Sequence, residues 1–383
     1  MTAVPTRPVV VTGLGLVSCA GEGVEAHLAA YRSAQAPRTD ATTFAPYPVH
    51  PVAPLSLDGQ ISKKSDQRQM EPWQRLGVYA AGLALDAAGA KADAALKSAM
   101  HLVVAAGGGE RDYAVDGQIL TGLRQAADPG AYLNERLQND LRPTLFLAQL
   151  SNLLAGNIAI VHGVTGASRT FMGEESSGVD ALRIAQARIA AGQLDIVLVG
   201  GSYNAERADV LLIHEMGGHL SKPEYRPVFE RAAAPGFILG SGAAFLVLEA
   251  ADHAAARGAR ALARLDAVAS DRTKRRDGSV TDSLTDLWGR AGLARPDAVI
   301  SAATGCAGIT GEERDALTAL APQAPVRALG DLTGHTLEAA APFGAALAAA
   351  LVAAGEAREV AVTAVGHRRG EGVLRLTTAG DSR

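Results

Sequence analysis

Short runs of β-branched residues alternate along this chain with Ala-rich segments of helical period, and a chain so patterned must stack sheets and helices in layers. The runs expected as strands are Pro8 to Thr12, His101 to Ala106, Ile196 to Val199, Ala244 to Glu249, Ala298 to Ser301, Val360 to Val365 and Val373 to Leu376. The segments expected as helices are Glu71 to Ala88, Leu145 to Val161, Val179 to Ala191, Asp282 to Ala291, Glu312 to Leu320 and Ala339 to Ala354. At 383 residues the chain has room for two ordinary domains or one large layered unit. Hydrophobic residues make up 48% of it and aromatics 4%, so its core must be built from Ala, Val, Leu and Ile, which suits close helix-on-sheet packing. A polar, Ala/Arg-rich stretch from Ala250 to Ala261 reads as the joint between two halves, residues 1–250 and 251–383. The charged run Arg272 to Gly278 reads as a solvated loop.

Several function classes are set aside by charge and composition. A net charge of −4 with scattered Lys and Arg leaves no basic stripe for nucleic acid phosphates. Two cysteines, Cys19 and Cys306, form no ligand spacing and no disulfide framework, as expected of a reducing compartment. Met1 to Pro8 lacks the basic segment and apolar run of a signal peptide, and no stretch reaches about 18 uninterrupted apolar residues. A soluble cytoplasmic protein without cofactor or metal is expected.

Familiar motifs fail on inspection. Thr12-Gly13-Leu14-Gly15-Leu16-Val17-Ser18 has Ser18 where a dinucleotide fingerprint needs its third glycine, and reads as a tight strand-to-loop turn. His214-Glu215-Met216-Gly217-Gly218-His219 has one residue too many for a zinc-protease helix and reads as a loop. What remains is Thr170 to Gly178, between the strand-like run Val164 to Phe171 and a helix. Such a turn, rich in small residues, exposes one side chain above a sheet and aims helix amides at it. Here that position carries a carboxylate, Glu175.

Several segments, in order, resemble the elongating β-ketoacyl-acyl-carrier-protein synthases. Val9 to Ser18 is similar to that family's opening strand, Ile61 to Gly89 to its first long helix, and Leu150 to Gly163 to the segment leading to the nucleophile. Pro227-Val228-Phe229-Glu230-Arg231 and Gly236 to Glu249 resemble its P-F-D-x-x-R and G-F-x-x-G-E-G-A-x-x-x-V-L-E block. The resemblance implies a thiolase fold, α/β in five layers α-β-α-β-α from two similar halves, and pairing of subunits through the strand ahead of the nucleophile turn.

The same resemblance locates a rewritten site. The family's C-x-x-G falls on Glu175-Ser176-Ser177-Gly178, so Glu175 stands at the nucleophile position. The N-A-H-G-T histidine falls on Thr304, and the lysine of K-S-M-T-G-H on Gly330, while the second histidine survives as His335. The glycine-rich gate reads Val365-Gly366-His367-Arg368-Arg369-Gly370. Claisen condensation needs a soft nucleophile that forms a thioester, and losing it with one oxyanion histidine should remove several powers of ten in rate.

Each residue also has a plain explanation. Glu175 suits the first turn of a helix, an effect of roughly 0.3 to 1 kcal/mol; His335 can bond backbone; and His367 to Arg369 suit a solvated loop. The sequence is therefore identified as a degenerate member, akin to chain-length factors of polyketide pairs or to a second synthase of very-long-chain fatty acid pathways. The resemblance implies pairing with an active synthase or with itself, and contact with acyl carrier protein. Altered chemistry on a carrier-protein thioester (decarboxylation or hydrolysis) or a residual acyltransferase stands as the alternative.

Overall fold

A computed structural model describes residues 6–33, 35–110, 112–140, 147, 149–222 and 224–380. Ten principal strands fall into two sets. The first comprises β1 (Val9–Ser18), β2 (His101–Ala105), β3 (Ser168–Phe171), β4 (Ile196–Tyr203) and β5 (Gly242–Ala250). The second comprises β6 (Ala263–Asp271), β7 (Ala298–Ser301), β8 (Val326–Ala328), β9 (Glu359–Val365) and β10 (Glu371–Thr377). The spatial orders, β3-β2-β4-β5-β1 and β8-β7-β9-β10-β6, are the same permutation. In each set the first three strands run parallel and the last two pairings are antiparallel. The two sheets touch where Val10 and Val11 of β1 meet Arg264 and Ala263 of β6.

Helices fill the remaining layers: α1 (Pro72–Ala87), α2 (Leu153–His162), α3 (Glu175–Ala190), α4 (Ala208–Met216), α5 (Ser279–Arg290), α6 (Ile309–Leu320) and α7 (Ala340–Ala353). One core, with α3 and α7 at its centre, draws side chains from both sheets. A second joins α1 and α2 to the outer face of the first sheet, and a third joins α5 and α6 to that of the second. The result is the five-layered thiolase arrangement. Residues Ala340 to Val352 are all buried; a helix apolar on every side is a helix covered on every side. Among the described residues no helix is long and apolar enough to cross a membrane.

The close packing corrects one expectation. Thr12 to Ser18 is no turn, because β1 continues to Ser18. Its glycines serve the helix above: a Cβ on Gly13 would lie 2.3 Å from the Ala84 carbonyl oxygen, and one on Gly15 1.9 Å from that of Ala80. Glycine in a strand commonly marks such a backbone approach. The α1 helix starts sharply, with Pro72 at its first position and the Gln74 side chain accepting from the Glu71 amide at 3.0 Å. Two further expectations shift: His214 lies in α4, not in a loop, and Ala251–Ala256 of the connecting stretch is helical. Part of the expected helix Leu145 to Val161, and Met1 to Pro5, lie outside the described residues; the helix is seen as α2.

Candidate functional site

The segment between β3 and α3 turns abruptly. Gly173 has φ 138°, and Glu174, though not glycine, has φ 57° and ψ −140°, a sparsely populated conformation for an L-residue. The turn is tied by its own hydroxyls: Ser176 donates to the Gly173 carbonyl at 2.8 Å and Ser177 to that of Glu174 at 2.7 Å. Glu175 opens α3 with 2% of its side chain exposed. Gly178, one turn on, admits the helical turn Leu337–Ala339, since a Cβ there would lie 2.5 Å from the Glu338 carbonyl oxygen.

Two histidines converge on Glu175. His335 follows the short helix Gly330–Thr333 and is held by backbone bonds, its amide donating to Ile238 at 2.8 Å and its carbonyl accepting from Gly240 at 3.0 Å. Gly240 permits this, as a Cβ there would lie 1.9 Å from the Thr333 carbonyl oxygen. His335 Nε2 stands 2.8 Å from Glu175 Oε1. His367, in the loop after β9, places Nδ1 2.9 Å from the same oxygen and 3.2 Å from Oε2. The loop is clamped: the Gly366 amide donates to Gly370, and Arg275 donates to the Gly366 carbonyl at 2.6 Å while pairing with buried Glu371. Arg275 is therefore a bracing residue and not part of a solvated run, and His367, with its side chain fully covered, is not solvated either.

The electrostatics follow from that packing. Burial alone would push the Glu175 carboxyl up, but the bonds to His335 and His367 outweigh it and hold the group well below the usual carboxylate range. Burial alone would lower His367, and its bond to Glu175 overrides that and raises it. The plain helix-start explanation of Glu175 is thus incomplete: it heads α3, but its side chain is buried and bridges two imidazoles.

The other expected positions make other contacts. Thr304 is buried, its hydroxyl accepting from the Cys306 amide at 3.2 Å. Gly330 packs on Val228, whose Cγ2 would be 2.9 Å from an added Cβ. Val365 ends β9 within the core of the second half. Cys306 is no relocated nucleophile, because burial pushes its thiol up to about 11; burial does the same to Cys19, up to about 12.

Sequence reasoning passed over several neighbours. His214 and His219 stand with ring centroids 5.8 and 4.7 Å from that of His367; His214 and His367 meet the buried Phe237 ring edge-on, and His219 stacks on it. Burial, then the nearby His367, lowers His214 to about 3. A cavity of about 450 Å³ opens beside the turn, its lining including Trp73, Glu174, Tyr203, Arg207, His214 and Glu338. Within it the Glu338 carboxyl is raised by burial to about 7. The pair of histidines in the failed zinc-protease pattern was the signal available, but their spacing pointed away from a shared helix face.

The model of the β-ketoacyl synthase N-terminal domain matches residues 6–254, and the chain belongs to the β-ketoacyl synthase family. It is 28% identical over 270 residues to 3-oxoacyl-(acyl-carrier-protein) synthase 2 of Vibrio cholerae, covering 68% of this chain and 62% of that sequence. It is 29% identical over 266 residues to the tetracenomycin polyketide synthase ketoacyl synthase beta subunit of Streptomyces glaucescens, covering 66% and 60%. The matches thus span less than two thirds of the length of these relatives. The ishigamide ketosynthase/chain length factor structure superposes with a TM-score of 0.81 at 22% identity, covering 98% of this chain and 100% of that one, a likeness of fold.

Proposed function

We propose that this chain is a non-condensing subunit of fatty acid or polyketide assembly. In this reading it pairs with a cysteine-bearing β-ketoacyl synthase and shapes the acyl chamber, so helping to set chain length. The observation that carries this is the Glu175 bridge. A carboxylate stands where the family's acyl-accepting thiol belongs, and it is buried, ionised and held by the surviving histidine and the gate-loop histidine. A group so stabilised is a poor nucleophile, and a glutamyl anhydride would not hold an acyl chain for transfer to carbon. The remaining thiols are buried and protonated. Likeness to a ketoacyl synthase beta subunit supports the same reading.

The surface also suits pairing. Among the described residues β3 is an edge strand, bonded to β2 on one side, with Ser168 and Arg169 exposed. Its unpaired side and the exposed Met172 beyond it lie directly ahead of the Glu174–Glu175 turn. A partner docked there would reach the cavity beside that turn. The test is to express the chain with and without a candidate synthase, weigh the complexes, and compare products. If the synthase makes the same chain lengths at the same rate without this subunit, the reading fails.

A further inference from the structure

We propose that Glu174 and His367, with His219 beside them, bind one divalent transition-metal ion of the zinc class. The proposal departs from the expectation of no metal, and it does not depend on pairing with a synthase.

The argument starts at His367. Its Nδ1 faces the ionised Glu175, which can only accept, so Nδ1 carries a proton and, in the neutral ring that a metal ion selects, the lone pair is on Nε2. That Nε2 is buried and has no hydrogen-bond partner among the described residues. A buried lone pair left unmatched calls for a partner. The nearest acid is Glu174, whose Oε1 is 3.6 Å away, too far for a hydrogen bond. It is close to the separation of two ligands on one tetrahedral zinc, about 3.3 Å for bonds of about 2.0 Å. Ligand atoms of Glu174, Glu175 and His367 all lie within 4.8 Å of one another; His219 is not of that group and stands beside it by its ring.

The surroundings complete the case. Two imidazoles on one tetrahedral ion have ring centroids about 5 Å apart, and those of His219 and His367 are 4.7 Å apart with planes at 69°. Glu175 then plays the part of the carboxylate that commonly accepts the distal N–H of a metal-bound histidine, fixing its tautomer. A donor set of two imidazole nitrogens and one carboxylate oxygen suits zinc, cobalt or copper over magnesium or calcium. The competing cation is Arg368, 3.9 Å from Glu174 and 55% exposed, a contact of little strength. His214 Nδ1 is a second buried ring nitrogen without a partner among the described residues, its ring against that of His367. With Glu174 31% exposed at the cavity mouth, a fourth position stays open to water.

The test uses the full-length chain without a polyhistidine tag. It is purified without chelators and assayed for Zn²⁺ by mass spectrometry, and the chelator-treated chain is titrated with Co²⁺ while its visible absorption is followed. About one equivalent of Zn²⁺ is expected to survive gel filtration, with the intense Co²⁺ bands of a four-coordinate site. Glu174→Gln and His219→Gln, on partly exposed side chains and checked by circular dichroism, should each weaken Zn²⁺ binding by tenfold or more. A chain that retains no metal and gives no such bands overturns the proposal. So does undiminished binding in both variants, which would put the ion elsewhere.

Discussion

Nε2 of His335 and Oε1 of Glu175 are 2.8 Å apart although 160 positions separate them in the chain, so the contact ties the second half of the molecule to the first helix residue of the central layer. His367 reaches the same oxygen from a third segment. One carboxylate therefore fixes the two loops that border the site.

Glu175→Gln leaves the shape and removes the charge that both imidazoles face. Breaking one side of a buried pair costs about 3 to 5 kcal/mol, and because glutamine keeps one acceptor oxygen, a loss of about 3 kcal/mol is expected. It should appear as a lower urea midpoint at unchanged slope. A loss below about 1 kcal/mol would return Glu175 to the role of a simple helix-start carboxylate.

The chain should resist acylation and alkylation alike. Only thiolates react, and with thiols near 12 and near 11, Cys19 and Cys306 should alkylate about a hundredfold or more slower than a free thiol at neutral pH. Incubation with an acyl-carrier-protein thioester should leave the intact mass unchanged. Glu175→Cys should instead yield one rapidly modified thiol, because that position combines a helix N-terminus with two histidines. A stoichiometric acyl adduct on the parent chain would sink the non-condensing reading.

Glu338 predicts a pH dependence. Its carboxyl is raised from 4.5 to about 7, first by burial and then by Glu175 and Glu174, with His367 opposing. Between these values the folded chain binds more protons than the unfolded one, so stability falls as pH rises from about 4.5 to about 7 and levels off above. The full effect is about 3 kcal/mol as an order of magnitude. Glu338→Gln should flatten this slope and be the more stable protein at pH 8, as measured by urea unfolding across pH. An unchanged slope would mean that Glu338 is hydrated in solution.

The layered fold was legible because period and composition agree: α7 is apolar on every side and the short β-branched runs bracket it. β6 escaped notice because Arg264, Asp266, Ser270 and Asp271 interrupt its sequence, and a strand partly covered on both faces needs no clean alternation. Gly13 and Gly15 looked like turn residues because nothing local distinguishes a turn from a strand that a helix backbone approaches. The family resemblance named Glu175, His335 and, in the gate loop, His367, and the structure brings these three side chains together. That His367 is buried against Glu175 was not legible, since a basic loop bounded by glycines reads as solvated, and only the fold brings Glu175 beneath it. Val164 likewise looked like part of the pairing strand, but it is 1% exposed and packs in the core of the first half.

That last point changes how pairing must be tested. A charge at Val164 would unfold the core, so the informative substitutions lie on the free edge of β3. The carbonyls of Ala167 and Phe171 accept from the amides of Leu102 in β2 and of Ala106 just past its end. In a parallel ladder the residues between, Ser168 and Thr170, therefore turn their backbone groups outward. Ser168→Pro removes one outward amide and is tolerated on an edge strand, so the lone chain should keep its fold and its urea midpoint within about 1 kcal/mol. A partner strand added at this edge would lose a ladder bond and meet the proline ring. An obligate interface of this kind buries upwards of about 2,000 Å². The variant should therefore elute as a monomer when mixed with a candidate synthase, while the parent chain forms a heterodimer in preference to a homodimer, as read by native mass. Products of the synthase should shorten with the variant as they do with the subunit left out. Full heterodimer formation by Ser168→Pro would show that the two chains meet elsewhere, and the edge of β3 would then have no part in assembly.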